Sequence, residues 1–269
     1  WIVAEVMQTV ERETKALDAF KFNESADAIY HFAWGTYCDW YLELIKPIMH
    51  GDDEAAKAET RKTAAWVLDQ ILILLHPFMP FITEEIWHAF VKRDCDLIHA
   101  SWPQFDAQLV DQSAADEMAW VIKFVTEVRS ARSEVNIPAG AKIPTIIRDA
   151  NDETLRRLNV HGDLLSRLAR IESIDTRAAA PEKGAVQVVV DEATVVIPLA
   201  GVIDIDAEKA RLTKAIEKAT KESKSIAGRL NNEGFVAKAP AQVIEKNRAD
   251  LADLESTLEK LQTALSRLG

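Results

Sequence analysis

The chain has few of the residues that staple, break or anchor a polypeptide. It holds two cysteines, Cys38 and Cys95, in 269 residues. They form no Cys-x-x-Cys pair and no set with zinc-ligand spacing, so a structural zinc site is excluded and no metal is expected. So sparse a use of cysteine suits a reducing compartment, and the cytoplasm is expected. Only nine glycines and nine prolines interrupt the chain, which leaves room for long helices. No apolar run reaches the roughly 20 residues of a membrane span, so no membrane partner is expected. Basic residues are also in deficit: 32 Lys and Arg stand against 43 Asp and Glu, for a net charge of −11. An acidic body argues against broad phosphate binding, so any nucleic-acid contact has to be local. The N-terminus, Trp1-Ile2-Val3, has no initiator methionine and no basic n-region. It reads as the start of a piece of a longer protein and not as a signal peptide.

The charge that is present is uneven. Residues 1–112 hold 9 basic and 19 acidic side chains, residues 113–203 hold 11 and 13, and residues 204–269 hold 12 and 11. The C-terminal segment is therefore the best place for phosphates.

What fills the first segment is helix. Ile2, Val6, Val10 and Leu17 recur at helical spacing and predict a helix over 1–18. Asn23 or Ser25 is expected to cap a second helix. That helix carries Ala26, Ile29, Tyr30, Ala33, Trp34, Tyr37, Trp40, Tyr41 and Leu44 on one broad apolar face. Most of these aromatics are expected in the core, with one or two at the bundle edge free to stack on splayed bases. Gly51-Asp52-Asp53 reads as turn and cap. The run from Ala64 to Leu75 is apolar on nearly every face and reads as a helix inside a bundle. Pro77 should stop it at His76, and Thr83 is expected to cap the next helix, with Glu84 and Glu85 in its first turn. His76 and His88 read as packed or capping side chains.

Residues 98–103 read as extended and Asp111 to Ser113 as a cap. A helix with Met118, Val121, Ile122, Val125 and Val128 on its apolar face follows. It leads to Arg129, Arg132, Asn136, Pro138 and Gly140. Pro138 is expected to end this helix. Then come a strand over 142–148, two short helices over 151–159 and 162–169, and strands over 171–174, 185–190 and 194–199. Arg129 and Arg132 sit at the entrance to this α/β unit. They either pair with local carboxylates such as Glu134 or reach an RNA backbone.

In the last segment Leu212, Ile216, Ala219, Ser223, Ile226 and Leu230 step by fours and threes. Ile244, Asn247, Leu251, Leu254, Leu258, Leu261, Leu265 and Leu268 do the same. Two such heptad helices joined by a Gly-containing loop predict an antiparallel hairpin about 40 Å long at 1.5 Å per residue. Lys214, Lys218, Lys221, Lys224 and Arg229 on its first helix, and Lys238, Lys246 and Arg248 at or after its tip, are either a solvated coiled-coil face or phosphate ligands.

Catalytic signatures are not found. Lys221-Glu222-Ser223-Lys224-Ser225 looks superficially like the KMSKS signature of nucleotide-activating ligases, but it lies within a heptad helix with Ser223 on the seam. No Gly-rich loop between strand and helix accompanies it.

Several stretches carry a resemblance. His76-Pro77-Phe78-Met79-Pro80-Phe81-Ile82-Thr83-Glu84-Glu85-Ile86-Trp87 resembles a segment of the anticodon-binding helical domain of class I aminoacyl-tRNA synthetases of the valine, isoleucine and leucine group. Phe22-Asn23, Trp34, the run from Cys38 to Glu43 and Lys46-Pro47 follow the same family pattern, with Tyr37 where Phe is common. The string from Arg129 to Gly140 resembles the family's RxxRxExNIxPG element. The run from Asn232 to Pro240 resembles the tip of the arm in the valine branch of the group; the isoleucine branch commonly ends in a Cys-based zinc unit.

The resemblance implies a mainly α fold in three parts. These are a helical bundle of the anticodon-binding type over 1–112, a small α/β unit over 113–203, and an antiparallel coiled-coil arm over 204–269. It implies a non-catalytic, monomeric, tRNA-binding portion of an enzyme that joins valine to its tRNA with ATP and Mg²⁺ bound elsewhere. The partner implied is valine-accepting tRNA. Phe22, Asn23, Trp34, Arg129 and Arg132 would face the anticodon side, and the basic residues of the arm the tRNA elbow. A protein-interaction scaffold and the corresponding region of the isoleucine enzymes are the rival readings.

Overall fold

The structure, a computed structural model, describes residues 1–181, 184–232, 234 and 240–268. It divides into two compact units, Trp1–Ile122 and Lys123–Gly269.

The first unit is a helical bundle. Helix α1 (Ile2–Asp18) turns Val6 and Val10 inward. Helix α2 (Phe22–His31) continues without a break into a π-helical stretch, Phe32–Tyr41, and then into α3 (Leu42–His50). Helix α4 (Glu54–Leu75) starts on Asp53, whose carboxylate accepts the Ala55 and Ala56 N–H groups. Ile2, Val6 and Val10 meet Ile29, Phe32, Tyr37 and Tyr41 and the Val67–Ile71–Leu74 stripe of α4 in one apolar cluster. Tyr37 and Tyr41 lie one turn apart on this stretch and so face each other. Their rings stack with centroids 5.7 Å apart, and the Tyr37 hydroxyl donates to the Ala64 carbonyl across 3.1 Å.

The broad apolar face expected on the second helix divides. Ile29, Tyr37, Tyr41 and Leu44 are buried, whereas Tyr30 and Trp34 are 59 % and 63 % exposed; Phe32, outside that face, is buried too. The nine positions cover more of the helix circumference than one packed side can take.

Helix α5 runs Pro80–Phe90, with Met79 at its N-cap and Pro80 at the first position. Thr83 is thus not its cap. A proline lacking its N–H is well placed where that donor would be unsatisfied anyway, so the helix begins four residues earlier than expected. The second helix likewise begins at Phe22, with Lys21 at the N-cap, and Ser25 is buried within it. A single 3₁₀ turn, Leu97–His99, takes the first two residues of the 98–103 segment expected to be extended.

Helix α6 (Gln112–Glu134) crosses from one unit into the next, and Asp111 accepts the Ala114 N–H at its start. It ends four residues before Pro138, because Asn136 takes a left-handed φ of +50° and the Ile137 N–H returns to the Arg132 carbonyl. In the second unit β1 (Ile143–Arg148), α7 (Asp152–Ala169) and β2 (Ile171–Asp175) form a parallel βαβ crossover. The pair β3 (Ala185–Val190) and β4 (Ala193–Pro198) is an antiparallel hairpin, and β4 also pairs antiparallel with β1. The strand order is β2-β1-β4-β3. Helix α7 runs straight through Gly162, where two helices were expected. A single internal glycine costs about 1 kcal/mol relative to Ala, which the buried Leu158, Leu165 and Leu168 outweigh.

Helix α8 (Ile205–Leu230) starts on Asp204, which accepts the Ala207 N–H, and packs against α9 (Ala241–Arg267). The two helices pack along each other as the expected antiparallel hairpin. Leu212, Ala219 and Ile226 of α8 are buried, as are Ala264 and Leu268 at the far end of the chain. The tip residues 233 and 235–239 lie outside the described set.

Candidate nucleic-acid interface

The bundle carries an aromatic edge. Helix α1 closes in a Schellman motif: the Lys21 N–H donates to Ala16 O across 2.8 Å and the Phe20 N–H to Leu17 O across 3.0 Å. The motif holds Phe20 in the left-handed region, φ +58°, where glycine is the usual occupant. Phe20 is 80 % exposed and meets the exposed Phe22 edge-on, centroids 6.4 Å apart. Asn23 is exposed in the first turn of α2. From Phe22, steps of four through Ala26 reach Tyr30 and Trp34, so three exposed rings fall along one helical line. Tyr30 was assigned to the core face from sequence; its four-residue step from Trp34 is the signal that separates it. Exposed ring faces of this kind accept unstacked bases.

Beneath the edge, Glu13 of α1 and Ser25 of α2 are both fully buried. Among the described residues neither Glu13 carboxylate oxygen has a hydrogen-bond partner within normal geometry. Burial pushes the Glu13 carboxyl up to about 8, with a weaker downward pull from Ser25.

The corner after α4 is a polar lock. The Thr83 hydroxyl donates to Met79 O across 2.9 Å and lies 2.8 Å from His76 Nδ1. Glu84 accepts the N–H groups of Leu97 (2.7 Å) and Ile98 (3.2 Å), and these bonds, that of Leu97 first, hold its carboxyl below the usual range. His88 Nε2 lies 3.2 Å from Glu84 and 3.1 Å from Asp96. Glu84, His88 and Asp96 thus offer three possible metal-ligand atoms within 4.8 Å of one another. Their mutual bonds and the two backbone donors already account for them as a clamp on the loop after α5. Arg93 closes the other side, 4.0 Å over the Trp87 ring and paired with Asp69 on α4.

Arg129 and Arg132 are placed at the mouth of the α/β unit, where they cap α7. Arg129 Nε donates to Leu168 O across 3.0 Å. Arg132 is 5 % exposed. Its Nη1 donates to Ala169 O and Arg170 O, and its Nη2 to Pro138 O and Ala141 O, at 2.7–3.3 Å. Three of the carbonyls these two arginines take lie in the last turn and C-cap of α7, groups a helix leaves without internal partners. Burial holds the Arg132 guanidinium below the usual arginine range, and neighbouring Arg170 adds to it. The pairing of Arg132 with a local carboxylate, expected from sequence, is replaced by these carbonyl bonds. The signal for the α7 partners was absent from the sequence, since those carbonyls come from a helix end more than thirty residues away, whereas Pro138 O and Ala141 O lie six and nine residues on.

On the arm, Lys214, Lys218, Lys221, Lys224 and Arg229 are exposed on α8, and Lys246 and Arg248 on α9. Lys214, Lys218 and Lys221 follow i, i+4, i+7 spacing on the side away from the Leu212–Ala219–Ile226 seam. Lys238 lies outside the described residues. Ser223 of the KMSKS-like stretch is half-buried in mid-helix, which fits no phosphate loop. No helix among the described residues is long and apolar enough to cross a membrane.

A helical bundle with an aromatic edge is one known kind of RNA-reading domain. Residues 1–147 match the family described as the anticodon-binding domain of tRNA ligase, and the chain belongs to that family. Residues 204–269 match the valyl tRNA synthetase tRNA binding arm. Over its whole length the chain is similar to the valine–tRNA ligases of Rhizorhabdus wittichii (52 % identical over 270 residues), Caulobacter vibrioides (48 % over 272) and Zymomonas mobilis (45 % over 271). It spans 30 % of the length of each of these relatives. The resemblance drawn from the motifs, and its narrowing to the valine branch, are borne out.

Proposed function

We propose that this chain is the tRNA-binding part of a valine–tRNA ligase, with three working surfaces. The carrying observation is the pairing, on one chain, of an anticodon-binding bundle and a tRNA-binding arm whose first helix presents lysines away from its seam. Phe22, Asn23 and Trp34 take the anticodon side, joined by Tyr30. On the second unit Arg129 faces an RNA backbone phosphate, with Arg132 supplying charge from beneath. Lys214, Lys218, Lys221, Lys224, Arg229, Lys238, Lys246 and Arg248 hold the elbow. Residues 1–112, 113–203 and 204–269 divide this labour as bundle, brace and arm. The joining of valine to its tRNA, with ATP and Mg²⁺, belongs to the part of the enzyme outside this chain. The protein works as a monomer in the cytoplasm.

Charge reversal on the arm tests the reading. Changing Lys214, Lys218 and Lys221 to Glu is expected to lower tRNA affinity at least tenfold. It should also flatten the dependence of log K on log salt by about three, one per lost phosphate contact. Unchanged affinity and slope would remove the arm from the interface.

A further inference from the structure

A groove of about 340 Å³ opens at the C-terminal end of α7 in the second unit. Arg129, Arg132, Arg170 and Ser133 supply its polar lining, and no carboxylate lines it. Three guanidinium groups around one groove stand out in a chain of net charge −11. The adjoining groove, which shares Arg170, is different: Asp163 and Glu172 stand beside its basic residues.

Arg132 forms the floor. Every bond it makes among the described residues ends on a neutral carbonyl oxygen, and no carboxylate neutralises it. A buried cation without an anion is costly, and its cost falls when an anion arrives. Arg170 is exposed beside it and is close enough to repel it. Its backbone is left-handed, φ +55° and ψ +49°, at the C-cap of α7. Glycine or asparagine fills that conformation at least cost; an arginine there carries strain of about 1–2 kcal/mol. An arginine kept at that cost brings a third cation to the groove, which is the observation the site is built on.

We propose that this groove is an oxyanion site that takes one phosphate group, gripped by Arg129 and Arg170 over Arg132, which acts as a buried positioning charge. The phosphate is a backbone phosphate of the bound RNA. That source rests on the function proposed above, whereas the oxyanion chemistry is shared with free inorganic phosphate.

Two measurements on the full chain separate these sources. The first is thermal unfolding in inorganic phosphate against chloride at matched ionic strength. The second is tRNA binding across a salt series. Arg170→Asn removes the charge while keeping a residue that tolerates the left-handed cap, and Arg170→Lys keeps the charge. Phosphate is expected to raise Tm for the parent chain and the Arg170→Lys chain but not for Arg170→Asn. The slope of log K for tRNA should fall by about one in Arg170→Asn. An equal phosphate response in parent and Arg170→Asn overturns the site. A response lost in Arg170→Asn with an unchanged tRNA slope overturns RNA as the source. If the parent binds no tRNA, the function proposed above fails, and the phosphate-dependent Tm still decides the groove.

Discussion

The side-chain amide of Asn136 donates to the Glu208 carboxylate across 2.9 Å. Asn136 is the left-handed residue that ends α6, and Glu208 sits in the first turn of α8, so the bond ties the root of the arm to the end of α6. Glu208 is 8 % exposed and also accepts two bonds from Arg211. Arg211 is the main reason its carboxyl lies below the usual range; burial opposes this and Asn136 assists.

Two substitutions separate what Asn136 contributes. Asn136→Gly loses the bond to Glu208 but keeps the left-handed turn, and is expected to cost about 1–2 kcal/mol. Asn136→Ala loses both and should cost about 1 kcal/mol more. Urea midpoints measure the difference; equal midpoints would mean that the left-handed turn contributes nothing.

The aromatic edge should separate binding from stability. Trp34→Ala is expected to lower RNA affinity by about 1–3 kcal/mol, the worth of one stacked base, while stability moves by less than about 0.5 kcal/mol. Tyr37→Ala, three residues on, should instead lower stability by about 3–5 kcal/mol, because its ring and hydroxyl are packed between the π-helical stretch and α4. Affinity titrations and denaturation of the two variants test this split.

Phe20 holds strain that glycine would release. Phe20→Gly is expected to stabilise the bundle by about 1 kcal/mol, read as a rise in Tm. If the Phe20–Phe22 pair belongs to the RNA-facing edge, the same variant binds RNA more weakly despite its higher stability.

Glu13 gives the bundle a pH dependence. In the unfolded chain its carboxyl ionises near 4.5, but in the folded chain it keeps its proton up to about 8. The folded state then carries the extra proton between those values, so the contribution of Glu13 to stability falls as pH rises through that window and is flat above it. Glu13→Gln should match the parent near pH 4.5. At pH 8 it should exceed the parent by more than about 1.4 kcal/mol, the value of one pKa unit. Parallel stability–pH curves for the two chains would contradict this.

The parts of the fold legible in the sequence are those set by local period. The α4 stripe and both arm seams follow from apolar spacing, and the half-buried Ile244, Leu251, Leu254 and Leu258 of α9 fall where the heptad put them. What was not legible depends on partners far along the chain. The π-helical stretch around Tyr37 and the bond from its hydroxyl to Ala64 O on α4 are of this kind, and no local pattern reports them. Gly162 looks like a break until the buried leucines on either side are counted against it. Thr83 looks like a cap until Pro80 claims the helix start. The role of Arg132 requires the α7 C-terminus to be in place, so its residue type announced a cation and could not announce a buried one. Trp34 was singled out by motif, whereas Tyr30 and Arg170 became visible only when exposure and backbone conformation were known.

The measurement that bears most directly on the central claim is equilibrium binding of this chain to a valine-accepting tRNA and to a non-cognate tRNA across a salt series. Local RNA contacts on an otherwise acidic chain predict binding that favours the valine-accepting tRNA and falls linearly in log K against log salt, by several units of slope. Binding that is flat with salt, or absent for both tRNAs, would contradict the claim that this chain holds tRNA.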